Sequence, residues 1–215
     1  MPIEVEAKFR AEGPGPLEAL AVVGSLGRAV LGPARTVDET DRYLDTDDGR
    51  LAAALWACRL RSREGTTRIC LKGPPREEAM LEAWHHRRPE VEGPATDEIA
   101  PASWPPSEAR ELLESLAGGG ALAERLRVRQ RRTERAVTLD GGGRIGTITL
   151  DRVRLAAGST DLGELFVVEL ELDPASERGE AELPGLAGAL ATVPGLVAEP
   201  RTKLEHALHR LHGRR

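Results

Sequence analysis

The stretch IEVEAKF, Ile3 to Phe9, alternates strictly between apolar and charged residues. Strict alternation over this length predicts a β-strand with two unlike faces. One face carries Ile3, Val5, Ala7 and Phe9, and the other carries Glu4, Glu6 and Lys8. On two further candidate strands the same Glu-x-Glu spacing returns, as Glu90/Glu92 in RPEVE and Glu169/Glu171 in LFVVELEL. Period-2 spacing puts both carboxylates of each pair on one face. For a single pair, the solvent side of an amphipathic strand is the plainer reading. Three pairs could gather carboxylates in one place, where they would repel unless cations neutralise them. Oxygen-only ligands of this kind suit Mg²⁺ or Mn²⁺.

Basic residues follow the same rhythm: Arg59/Arg61, Arg68/Lys72 and Arg127/Arg129/Arg131. Solvated faces are again the alternative. Guanidinium forks match phosphate oxygens, and a lysine adds a point charge. Basic and acidic strands could therefore line one closed barrel, the bases holding phosphate and the acids holding metal. Neither set could stay charged and buried without the other or a ligand.

The 215 residues suffice for a large core, and the pass along the chain predicts one α+β domain over residues 1–212. Helical spacing runs from Pro16 to Val30. Leu51 to Arg63 begins as a short helix or turn and ends in alternation, and Thr67 to Lys72 alternates cleanly. A helix spans Ser107 to Ala117, with serine as its cap and glycines after it. Leu126–Leu139 and Arg144–Leu155 flank Asp140-Gly-Gly-Gly143 as a long hairpin. Helices are expected over Leu183–Ala191 and Thr202–Leu211. No apolar run is long enough to span a bilayer, and no signal peptide is evident, so a cytoplasmic location is expected. A net charge of −5 argues against a nucleic-acid partner. The two cysteines, Cys58 and Cys70, are too few for a zinc site or a disulfide framework. His206, His209 and His212 drift around their helix and are expected at the surface. Trp56, Trp84 and Trp104 are expected to pack rather than to stack on a base.

The ordered series E-V-E-A-K (Glu4, Glu6, Lys8), RYLDT (42–46), RLR (59–61), LKGP with Lys72, RPEVE, RVRQRR, TLDRV with Asp151, LGELFVVELE and RTKLEHAL with Lys203 resembles the CYTH family, the triphosphate tunnel metalloenzymes. The family name joins a class of adenylyl cyclase to thiamine triphosphatase. Leu44 stands where the family has a second aromatic, and Thr202 where it has serine.

The resemblance implies a closed tunnel of eight antiparallel strands with charged residues inside and helices outside. It implies that Arg59, Arg61, Lys72, Arg129, Arg131 and Lys203 orient a triphosphate, with Arg132 the alternative if the basic strand is turned the other way. Glu4, Glu6, Glu169 and Glu171 would bind one or two Mg²⁺ or Mn²⁺, and Asp151, Glu90 and Glu92 would complete the acidic set. Lys8 would polarise the terminal phosphate, and Glu6 or Glu169 would orient the attacking water. Thr147, Thr149, Asp151 and Cys70 would point in and Cys58 out, so no disulfide would join the cysteines. The implied activity is hydrolysis of inorganic triphosphate. Thiamine triphosphate hydrolysis, a class IV-type cyclase making cyclic AMP from ATP, and a polyphosphate-binding module without catalysis are the alternatives. A small triphosphate is the expected partner, with neither nucleic acid nor membrane, and a homodimer is left open.

Overall fold

The computed structural model describes residues 1–76, 82–141, 143–174 and 176–213. The opening alternation is β1, Ile3–Ala11. A short helix α1 (Gly15–Val22) and a small hairpin, β2 (Ser25–Leu26) and β3 (Ala29–Leu31), follow it. Next come β4 (Arg35–Thr46), α2 (Arg50–Ala53), β5 (Ala57–Arg63), β6 (Thr66–Lys72), β7 (His85–Ala95) and α3 (Glu108–Ala117). The chain ends with β8 (Leu122–Leu139), β9 (Gly143–Ala157), β10 (Thr160–Leu172), α4 (Glu177–Ala191), β11 (Leu196–Ala198) and α5 (Lys203–His212).

The strands pair in the order β8-β4-β5-β6-β7-β1-β10-β9, and β9 returns to β8, so eight antiparallel strands close into a barrel. Closure leaves these strands no free edge. The β2–β3 hairpin extends from β8, and β11 adds to β1. Helical spacing over Pro16–Val30 is thus only half realised. The helix stops at Val22, and Gly27, at φ 55°, turns the hairpin in the left-handed region that glycine tolerates best.

The outward apolar residues explain the helices. Val5, Ala7, Phe9, Ile148, Leu150, Val168 and Leu170 form one cluster with Leu17, Leu20, Leu183, Leu186 and Leu190 of α1 and α4. Leu60, Ile69, Leu71 and Val91 form another with Leu113 of α3 and with Trp104. Removing each such leucine from water contributes about 1.5–3 kcal/mol. Ser107 accepts from the Arg110 amide to start α3, and Gly118 ends it at φ 54°. Trp56 and Trp84 pack beside these clusters, as expected.

A third cluster lies inside the barrel. Tyr43, Leu126, Val128, Val153, Leu155, Leu165 and Val167 share the inward face with the charged residues further along their strands. Leu204, Ala207, Leu208 and Leu211 of α5 pack against them. One end of the barrel is therefore filled by its own apolar lining and the last helix.

A candidate active site within the barrel

Above that plug lies a cavity of about 610 Å³. The walls follow from register. Acids and bases stand directly opposite one another on neighbouring strands: Asp41 and Arg61, Glu39 and Arg63, Lys72 and Glu90, Glu4 and Arg88, Lys8 and Glu169, Arg132 and Asp151. Each cross-strand pair of opposite charge supports the sheet. Together they let a charged interior fold.

The floor is a network around α5. Lys203 Nζ lies 2.7 Å from Asp151 and 2.9 Å from Glu169. Arg132 forks onto Asp151 at 2.8 and 2.6 Å and reaches Glu169 at 3.2 Å. Lys8 Nζ sits between Glu6 at 2.9 Å and Glu169 at 3.2 Å. Burial would lower the Lys8 ammonium, but Glu6 and Glu169 outweigh it and keep it protonated. Burial would likewise raise Glu169, yet Lys203, Lys8 and Arg132 hold it well below the carboxylate range.

The β4–β5 wall presents guanidinium groups. Arg61 donates to both oxygens of Asp41 at 2.8 and 2.9 Å, and Arg59 approaches Asp41 at 3.3 Å. Against the effect of burial, Arg61 and Arg59 keep Asp41 ionised far into acid. Arg63 joins Glu39 at 2.9 Å and Glu134 at 2.6 Å near the open end.

Acids crowd the opposite side. Glu4 is held by Lys72 and by Arg88, at 3.0 Å, and these cations overcome burial to keep it ionised. Glu171 makes no ion pair among the described residues, and it faces Glu6 directly across β1 and β10. Its side chain opens into the cavity but is walled in by protein. That desolvation, together with Glu4, pushes its carboxyl up to about 7. Carboxylate oxygens of Glu4, Glu90 and Glu171 all lie within 4.8 Å of one another. A hard divalent cation would fit these donors, and an unneutralised Glu171 is the residue such an ion would satisfy. A second group, Cys70, Glu90 and Glu92, shares Glu90, with Glu92 exposed at the rim.

Of the expected residues, the barrel brings together Glu4, Glu6, Lys8, Arg59, Arg61, Lys72, Glu90, Glu92, Glu169, Glu171 and Lys203. Asp151 is buried at the floor with both oxygens engaged by Arg132 and Lys203, away from the Glu4–Glu90–Glu171 group. Arg129 and Arg131 are corrected: both are exposed on the outer wall, and Arg132 points in. The inward face of β8 runs Leu126, Val128, Gln130, Arg132, so its apolar residues serve the internal plug and its odd-numbered arginines must face solvent. His206 is also corrected. It is mostly buried, 3.0 Å from Glu199, rather than at the surface. Arg63, Arg88, Glu39 and Asp41 were missed. Arg63 continues the Arg59/Arg61 spacing, and Glu39/Asp41 is a further i, i+2 acidic pair. Cys70 is inward and hydrogen-bonds Glu90, while Cys58 packs in the outer cluster, so the two thiols are apart.

The CYTH domain profile matches residues 2–185. The chain belongs to the CYTH family. No curated protein matches it. Among solved structures, a candidate adenylyl cyclase from Hippeastrum, described as having a dominant triphosphatase activity, superposes with a TM-score of 0.64 at 18% identity, over 96% of this chain and 95% of that one. A candidate adenylate cyclase from Bacillus halodurans gives 0.59 at 18% identity, over 95% and 98%. One from Vibrio parahaemolyticus gives 0.55 at 17%, over 95% and 97%. At these identities the likeness shows a shared fold, the CYTH barrel.

Proposed function

We propose that this CYTH barrel hydrolyses inorganic triphosphate with the help of Mg²⁺ or Mn²⁺. The observation that carries the reading is the arrangement of one chamber. A guanidinium and ammonium wall (Arg59, Arg61, Lys72, Arg88) faces into the same space as a carboxylate group with an unpaired member, Glu171. Anion binding alone would not require those carboxylates. Aromatic platforms for a nucleobase or thiazolium ring are scarce: among the described lining residues Tyr43 is the sole aromatic, and it belongs to the internal plug.

Glu4, Glu90 and Glu171 would hold the ion, which when bound supplies charge neutralisation on the phosphate oxygens. Arg59, Arg61 and Lys72 fix the chain of phosphates by charge-assisted hydrogen bonds. Lys8 stays protonated and donates to the terminal phosphoryl group. Glu6 orients the water, because Glu169 is already committed to Lys8, Arg132 and Lys203. Water attacks the terminal phosphorus in line, the bond to the bridging oxygen breaks, and phosphate and pyrophosphate result.

Purified protein with Mg²⁺ or Mn²⁺ and inorganic triphosphate, thiamine triphosphate or ATP tests this. Phosphate release fastest from inorganic triphosphate is the expected result. Cyclic AMP with pyrophosphate from ATP would make it a cyclase, and tight binding without turnover a sensor.

A further inference from the structure

Inside the barrel most charged rungs set an acid against a base. On the outer wall of β4, β8 and β9 three rungs set arginine against arginine. Arg42 stands opposite Arg127, Arg129 opposite Arg154, and Arg131 opposite Arg152. Like charges directly opposite weaken an antiparallel pair, so three adjacent rungs carry a cost that the fold itself does not require. Counter-charges are few: Asp38 stands opposite Arg131 without an ion pair to it among the described residues, and Glu164 stands opposite Arg154. Glu124 takes Arg127 at 2.7 Å, and Glu164 is shared by Arg152 at 3.2 Å and Arg154 at 3.1 Å. Arg129 and Arg131 make no ion pair among the described residues. This concentration stands against a net charge of −5 for the whole chain.

The chemistry of the face narrows its partner. None of the exposed large apolar residues lies on this stretch, so the buried apolar centre of a protein–protein contact has nothing to form around. Phe166 lies beneath Arg152, its centroid 5.9 Å from the guanidinium carbon, and no open aromatic offers a base a stacking surface. What remains is two rows of guanidinium forks, spaced about 6.8 Å along each strand and about 4.8 Å between strands. Such a surface suits a thin, flexible polyanion without side groups.

We propose that the outer wall of β4, β8 and β9 binds linear inorganic polyphosphate. The choice of this polyanion rests on the triphosphate reading of the chamber, since polyphosphate is the same anhydride carried on to greater length. The test is calorimetric binding of long-chain polyphosphate in EDTA, for the wild type and an Arg129→Thr/Arg131→Thr/Arg154→Thr variant. The variant should lose about tenfold or more in affinity, and its binding should fall less steeply with salt. It should keep or raise its Tm and hydrolyse triphosphate as the wild type does. Equal polyphosphate affinity in both proteins overturns the proposal. So does tighter wild-type binding to duplex DNA or to phosphatidylserine vesicles at equal phosphate concentration. A wild type that binds polyphosphate through these arginines but releases no phosphate from triphosphate would sink the chamber reading alone.

Discussion

Glu6 and Glu171 face each other across β1 and β10, two carboxylates on one rung of a barrel most of whose other inward charged rungs pair acid with base. Glu6 has Lys8 at 2.9 Å, while Glu171 makes no ion pair among the described residues. In metal-free protein the Glu171 carboxyl, raised to about 7 by burial and by Glu4, binds a proton in the folded state that the unfolded chain releases near its ordinary value of 4.5. Its contribution to stability is therefore present below pH 4.5 and lost as pH rises through about 7. Thermal melts in EDTA should show Tm falling between about pH 4.5 and 7, the window set by the unfolded and folded values, and Glu171→Gln should flatten this slope. An equal slope in the variant would remove Glu171 as its source.

Glu4→Gln should cut metal-dependent phosphate release at least about 100-fold, beyond the effect of losing an outer partner of a metal ligand. Lys72 keeps Glu90 at 3.3 Å in the variant, so the fold should survive, with an unchanged circular dichroism spectrum. Near-normal turnover with Mn²⁺ would exclude Glu4 as a ligand.

Arg59→Ala should raise KM for triphosphate about tenfold, one charge-assisted hydrogen bond, with a smaller change in kcat. Asp41 keeps the Arg61 fork, so stability should change little. Arg59→Lys should restore only part of the affinity, because an ammonium cannot reproduce the fork. Steady-state kinetics of the three proteins decides it.

Lys203→Met removes the ammonium that α5 lends to Asp151 and Glu169. Arg132 and, for Glu169, Lys8 remain, but both buried carboxylates lose a close cation, so the variant should lose about 3 kcal/mol of stability, read by urea unfolding at pH 7. A stability equal to wild type would show that the floor tolerates the extra negative charge.

Neither thiol should react with iodoacetamide in the folded protein at pH 8. Burial pushes Cys70 up to about 12 despite Arg59, and burial raises Cys58 as well. Thiolate is the nucleophile, and little is present. Mass spectrometry should show no adduct before denaturation and two after.

The charged lining was legible in the sequence wherever the other face of a strand was plainly apolar. Glu4, Glu6 and Lys8 alternate with core residues of the outer cluster, and Glu169 and Glu171 alternate with Val168 and Leu170. On β8 that rule reversed. Leu126 and Val128 are apolar because they plug the interior, so choosing the arginines as the inner face was wrong there. The wall of Glu39 and Asp41 went unread because β4 is polar on both faces, with Asp38, Thr40 and Arg42 outside. Arg88 lay at the edge of a strand read as starting with it, whereas β7 begins at His85. The division of labour among carboxylates needed coordinates: only the distances separate the engaged Asp151 and Glu169 from the unpaired Glu171.

The apolar plug around α5 also decides how a long substrate could be used. A chamber with one open mouth admits a linear chain by its end and never by its middle. On the triphosphatase reading proposed above, each cut would release phosphate through the opening by which the chain entered, so a longer polymer would be shortened from its terminus, one residue at a time.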